Sequence, residues 1–187
     1  MIYKTKVIVK PANLAGKQNG LLPDTLLADI PGGKLHKNAV AGYNAMRAAA
    51  LKAGVTLEPT SSADTYRLLS IQERAFFQRY SSKPTKSKVT RTYRGQTYWL
   101  KKGYAPSATP GTSNHGWGLA VDIANASGKR FQWLVKNANK YGWYMAVADS
   151  NNPNFESWHW QYVLGKPYAP RAKAKKKAQT RNKPAVC

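Results

Sequence analysis

The chain has 187 residues, with 30 Lys and Arg against 8 Asp and Glu, a formal net charge of +22 and one cysteine, Cys187. That length predicts one domain, and 42% hydrophobic residues with 11% aromatics suffice to bury a core, which excludes global disorder. A single cysteine excludes an internal disulfide framework or a thiolate metal cluster, and no apolar run approaches the roughly 18 residues of a membrane span.

Ile2 to Lys10 alternates in character and predicts an edge strand, with Lys interrupting any apolar core that an export signal would need. Asn13 to Gly33 is punctuated by glycine and proline and reads as loop with at most a short turn of helix. His36, in a Gly- and Lys-rich stretch without a nearby acid, reads as a surface residue. Lys37 to Lys52 is Ala-rich with an apolar face at Val40, Tyr43, Met46, Ala50 and Leu51, so it predicts a helix that Gly54 terminates. Val55 to Pro59 is a short strand candidate, and Ser61, Ser62 and Asp64 can cap a second helix from Asp64 to Tyr80. Thr85 to Lys102 is polar, basic and Tyr-rich, which predicts loop or a weak hairpin.

Gly118 to Ile123 alternates as a strand, with Asp122 on the face of small residues. Ser127 is placed to cap a third helix, Lys129 to Lys140, ahead of Gly142, and Trp158 to Leu164 is again strand-like. Helices and strands without a βαβ rhythm predict one α+β domain. Its parts are an N-terminal strand, loop and helix over 1–60, a core over 61–165, and a basic disordered tail over 166–187.

The net charge predicts a polyanionic neighbour: nucleic acid, an anionic membrane or a phosphate-rich cell wall. Lys166 to Cys187 carries eight basic residues, three prolines and no acid, so the tail reads as a polyanion-binding or merely solubilising end.

Two of the eight acids sit beside histidines with aromatic and glycine neighbours, Asp122 in SNHGWGLAVDI and Glu156 in ESWHWQY. His115, Asp122 and His159 offer two imidazoles and a carboxylate, the ligand set of a catalytic zinc that keeps a fourth position open. A lone histidine beside glycine is more often a loop or packing residue, and Trp158 and Trp160 also suit a core. Asp122 is harder to set aside, because a carboxylate between Val121 and Ile123 needs a cation or donors to offset its desolvation. Glu156, three residues before His159, is near enough to act on water at a metal without coordinating it. Glu156 and His159 would face opposite sides of a regular strand, so this reading requires a turn around Ser157.

S-N-H-G-W-G-L-A-V-D resembles the S-x-H-x-x-G-x-A-x-D motif of the VanY-type D,D-carboxypeptidases and their relatives, the LAS zinc peptidases, and E-S-W-H-W resembles their E-x-W-H motif. A looser third match is Y-R-L-L-S-I-Q at Tyr66 to Gln72. The resemblance implies an α+β fold with a small central, mainly antiparallel sheet flanked by helices. It implies zinc on His115, Asp122 and His159, Glu156 as general base and then acid, and Arg67 as stabiliser of the developing oxyanion. Ser113, Trp158 and Gln72 become substrate-contacting positions. The family's serine after the arginine is Leu68 here, which leaves Arg91 or Arg94 as alternatives for the arginine's task.

The implied substrate is the D-amino-acid-containing stem peptide of peptidoglycan, cut by carboxypeptidase or endopeptidase action, and 61–165 becomes the zinc peptidase core. The basic tail would meet anionic wall polymers, with virion or tail proteins as further partners and nucleic acid only nonspecifically. With no signal peptide read at the start, the expectation is a phage enzyme, carried on the virion or released at lysis, that acts at the cell wall. The competing reading is a non-catalytic wall-binding or nucleic-acid-binding protein on a peptidase-like scaffold.

Overall fold

The computed structural model describes residues 1–170, so most of the basic tail, 171–187, lies outside the described residues. At the centre is a three-stranded antiparallel sheet of β6 (Ala120–Asp122), β8 (His159–Tyr162) and β7 (Trp143–Met145), with β8 in the middle. Its register pairs Asp122 with His159 and Ala120 with Gln161, which brings two residues of distant motifs side by side. Trp143, Tyr162, Leu119 and Ile123 are fully buried around it.

Helix α1 (Lys37–Lys52) has the bounds its alanines predict and buries Ala39, Gly42, Tyr43, Met46 and Ala50 against this sheet. Gly54 follows it at φ +67°. Gly42 is needed for contact: a Cβ there would lie 2.5 Å from the Tyr141 carbonyl oxygen and 2.8 Å from the Tyr162 ring.

Ahead of α1 a hairpin was not anticipated: β1 (Leu27–Ile30) pairs with β2 (Gly33–His36) through Pro31-Gly32. Gly32 has φ +87°, the turn position that proline followed by glycine favours. His36 is a correction. It is fully buried and is the N-cap of α1, its Nδ1 accepting from the Asn38 N–H at 3.2 Å, because β2 turns directly into the helix under Gly118.

The second helix begins later than its capping residues predict. Ser62–Asp64 is one 3-10 turn, and α2 spans Leu69–Arg79. The backbone between them is committed to tertiary partners: Tyr66 N–H donates to the Lys34 carbonyl at 2.8 Å, Arg67 N–H to that of His115 at 3.1 Å, and Leu69 N–H to that of Gly20 at 2.9 Å. Those bonds replace helical ones.

The expected weak hairpin is present as β4 (Thr90–Tyr93) and β5 (Gln96–Leu100), and β3 (Tyr80–Ser81) joins β5's other edge. This second sheet packs on α2 through its own small core of Phe76, Tyr80 and Leu100. Helix α3 (Gly128–Asn137) follows Ser127, which makes no side-chain capping bond, and a 3-10 turn, Ala138–Tyr141, carries the chain to Gly142.

The first ten residues form an extended arm along β7 with isolated bridges at Ile2 and Thr5, not a continuous edge strand, and Val55 to Pro59 makes only the bridge from Pro59 to Ile123. Residues from 1–60 share one hydrophobic core with those after 61. Past Lys166, Tyr168 still packs on that core, its ring 5.8 Å from Tyr141. No described helix is long and apolar enough to cross a membrane.

Candidate metal centre

Asp122 sits at the end of β6 with segment 58–60 on its outer side, where Thr60 N–H donates to the Asp122 carbonyl. Its register partner His159 begins β8. His115 comes from the 3-10 turn Asn114–Trp117, which Ser113 caps by accepting from the His115 N–H at 3.3 Å, and which Gly118 ends at φ +63°. A Cβ on Gly118 would press on the His36 backbone at 2.5 Å, so only glycine lets this turn settle over the start of α1.

One ligand atom from each of His115, Asp122 and His159 lies within 4.8 Å of the others. Asp122 Oδ1 is 2.8 Å from His159 Nδ1 and 3.3 Å from His115 Nε2, and the two imidazole nitrogens are 3.2 Å apart. On its far side His115 Nδ1 is 3.0 Å from the Thr65 carbonyl oxygen. A carbonyl only accepts, so Nδ1 carries the proton and Nε2 presents its lone pair to the cluster.

The site is nearly dry, with side-chain exposures of 4% for His115, 15% for Asp122 and 14% for His159. Burial pushes the His115 imidazole pKa down despite the Asp122 carboxylate, favouring the neutral, metal-binding form. Burial alone would raise the Asp122 carboxyl, but the His115 and His159 imidazoles beside it outweigh that and hold it well below the usual carboxylate range. Two imidazole nitrogens and a carboxylate fit zinc better than magnesium or calcium, which favour all-oxygen shells.

Arg67 reaches the cluster from the extended stretch before α2. Its Nη2 lies 3.7 Å from Asp122 Oδ2 and 2.8 Å from Asp64 Oδ1, while Nε donates to the Ala63 carbonyl at 2.9 Å. Asp64 is itself held by Ser61 Oγ at 2.7 Å. Arg91 and Arg94 are elsewhere: Arg91 donates to the Ser107 and Thr90 carbonyls, and Arg94 pairs with Glu73.

The chain turns at Ser157 and Trp158, with His159 N–H donating to the Glu156 carbonyl at 3.2 Å, so the turn that Glu156 requires is present. Glu156 lies at the rim and makes no side-chain hydrogen bond among the described residues. The protein behind it, aided by Asp122, raises its carboxyl pKa, and His159, Arg79 and Arg67 oppose that rise. Beside the cluster an open cleft of about 470 Å³ is lined by Thr60, Asp64, Asp122, Asn125, Ser157 and Trp158. Trp158 is 44% exposed there.

Gln72 is buried in the first turn of α2, its Nε2 donating to Asn19 Oδ1 and the Arg67 carbonyl and its Oε1 accepting from Gly111 N–H. It ties three segments of the site together. Thr65, Asp64 and Asn19, which sequence reasoning missed, do comparable work: Asn19 Nδ2 holds the Ser113 carbonyl at 2.7 Å. Asp64, three residues before Arg67, had a readable ion-pair spacing; the Thr65 carbonyl had no signal at all.

The chain belongs to the VanY family of D-alanyl-D-alanine carboxypeptidases, whose family model matches residues 32–166. Among solved structures it is similar to the LdcB LD-carboxypeptidase, at 23% identity and a TM-score of 0.57 over 87% of this chain and 84% of that one. It is also similar to VanYB in complex with D-alanine-D-alanine, at 21% identity and a TM-score of 0.53 over 83% of this chain and 85% of that one. The vancomycin resistance D,D-pentapeptidase VanY of a VanB-type cassette, in complex with Zn(II), matches at 19% identity and a TM-score of 0.49, covering 87% and 86%. A comparison with curated proteins gives no match.

Proposed function

We propose that the chain is a zinc-dependent D,D-carboxypeptidase that hydrolyses the D-amino-acid-containing stem peptide of peptidoglycan. The observation that carries this reading is the convergence of His115 Nε2, Asp122 Oδ1 and His159 Nδ1 within 4.8 Å beside an open cleft, with Arg67 against the same carboxylate. His115, Asp122 and His159 would hold the zinc, which when bound polarises water and a peptide carbonyl. Glu156 takes a proton from the attacking water and returns it to the leaving amine. Its raised pKa suits both halves, since a carboxylate too acidic would be a poor base.

The Arg67 guanidinium directs paired donors toward the carbonyl oxygen as negative charge grows there. Asp64 and the Ala63 carbonyl fix that guanidinium in advance. Trp158 borders the path of the peptide, Ser113 caps the turn that carries His115, and Gln72 positions Arg67 through its carbonyl.

Digestion of purified peptidoglycan, followed by mass analysis of the products, tests the reading. Loss of one terminal alanine from pentapeptide stems is the expected result. Cleavage within cross-links would reassign the enzyme as an endopeptidase, and unchanged muropeptides would overturn the proposal.

A further inference from the structure

Between Arg74 and Lys102 the chain holds nine lysines and arginines and no acid. This stretch runs from the end of α2 through the second sheet, β3–β5–β4. The register turns Tyr80, Tyr93, Tyr98 and Leu100 toward Phe76 of α2, so Ser81, Thr90, Thr92, Thr97 and Trp99 share the opposite face. Ser81, Trp99 and Thr90 line up across all three strands, and Thr97 and Thr92 form the next row. The three threonines are exposed, and Trp99 is half-buried yet packs on neither hydrophobic cluster. A tryptophan outside the core, in a grid of hydroxyls, suits a polyhydroxyl chain laid across it.

The charge lies at the edges of this face. Lys83, Lys86 and Lys88 are exposed in the connection from β3 to β4, and Lys102 is exposed just after β5. Of the nine cations only Arg94 has a carboxylate partner among the described residues, Glu73 at 2.7 Å.

We propose that this outer face and its lysine-bearing connection dock a polyol-phosphate polymer of the cell wall, the hydroxyls and Trp99 meeting the polyol and the lysines its phosphates. The inference rests on the peptidase reading above, which brings the chain to the wall. Helix α2 gives it a geometric sense: Gln72 at the metal site and Arg79 at the sheet are about 10 Å apart along the helix. A polymer held on the sheet therefore keeps stem peptides beside the cleft. Nucleic acid fits this face less well. Single strands use successive aromatic platforms where this face has one, and the arginine at the hairpin tip, Arg94, is tied to Glu73.

The test is binding of the full chain to poly(glycerol phosphate), with duplex DNA at equal phosphate concentration as the comparison. The triple variant Lys83→Gln, Lys86→Gln, Lys88→Gln should bind the polymer about tenfold more weakly at low salt, with the deficit vanishing near 1 M, where the Debye length falls to about 3 Å. Its hydrolysis of a small soluble stem peptide should equal that of the wild type. Trp99→Ala, checked for folding by circular dichroism, should weaken polymer binding without steepening its salt dependence. Wild-type affinity in the triple variant would overturn the proposal, as would tighter binding to DNA than to the polymer. Failure of the unaltered chain to cut soluble peptide would count against the peptidase reading alone, because polymer binding is read without it.

Discussion

Tyr3 stacks on Phe155, their ring centroids 5.6 Å apart and their planes 26° apart, and Phe155 immediately precedes Glu156. Tyr3 also meets Phe131 of α3 edge-on at 5.3 Å, and its N–H donates to the Ala148 carbonyl at 2.7 Å. Ile2 is bridged to Asp149, and Ser150 N–H donates to the Met1 carbonyl. The segment from Ala148 to Glu156 is thus fastened between the N-terminal arm and α3. Since the Glu156 side chain has no hydrogen-bond partner of its own among the described residues, its position depends on Phe155 before it and β8 after it.

Tyr3→Ala should therefore lower kcat by about ten- to a hundredfold, the range that small misplacements of a catalytic group produce, while zinc content stays unchanged. Tyr3→Phe should restore the rate, because the ring makes the contacts and the hydroxyl bonds nothing among the described residues. Turnover and metal content of the three proteins decide it; an alanine variant at full kcat would show that the arm does not hold Glu156.

Zinc should bind at about one ion per chain, and His159→Ala should abolish tight binding by removing one of two nitrogen donors. Chelation should stop hydrolysis and added zinc should restore it. Metal analysis by mass spectrometry gives the count, and an unchanged count in His159→Ala would remove His159 from the ligand set.

Glu156→Gln should leave a folded, zinc-loaded protein whose kcat falls by about 100- to 10,000-fold, the usual worth of a positioned acid–base group. The amide keeps the shape of the side chain and loses its proton chemistry. Retention of more than about a tenth of wild-type turnover would assign proton transfer to another group.

Arg67→Lys keeps a cation but loses the fork that joins the Ala63 carbonyl, Asp64 and Asp122. A lysine cannot satisfy all three from one nitrogen, so kcat should fall at least about tenfold with the substrate KM less affected. Equal loss in kcat/KM and in kcat would agree with a contact made only in the transition state, and an unchanged kcat would argue against oxyanion stabilisation by Arg67.

What was legible in the sequence was what short-range pattern decides. Alanine spacing and Gly54 marked α1 to the residue, and the alternation around Val121 marked β6. The three residues of the cluster were legible because their chemistry is rare in a chain with eight acids and three histidines. Distant backbone bonds set what was missed. The stretch from Thr65 to Leu68 has helix-compatible residues, yet its N–H and C=O groups go to Lys34, His115 and Gln72, so α2 starts late and Arg67 is free to reach Asp122. The hairpin of β1 and β2 is four residues a side, too short to show alternation, and its Pro-Gly turn reads equally well as loop.

His36 supplies the last test. Its Nδ1 accepts from the Asn38 N–H, so the ring proton lies on Nε2, which is buried without a partner among the described residues. Protonation would destroy the acceptor that caps α1 and would set a positive charge against the positive end of the helix. Burial accordingly pushes the imidazole pKa below its ordinary 6.5. In the unfolded chain the ring takes up a proton near 6.5, whereas in the fold it stays neutral to lower pH. Between the two values the unfolded chain binds the extra proton, so this contribution to stability is complete above about 6.5 and is lost as the pH falls, by at most about 1.4 kcal/mol per pH unit. His36→Asn retains a good capping acceptor and does not titrate. Melting temperatures of the two proteins from pH 8 to pH 5 should shift steadily in favour of the asparagine variant below about pH 6.5, the acid sensitivity of the metal ligands being common to both. Parallel curves over that range would show that His36 accepts its proton within the fold at no cost to the α1 cap.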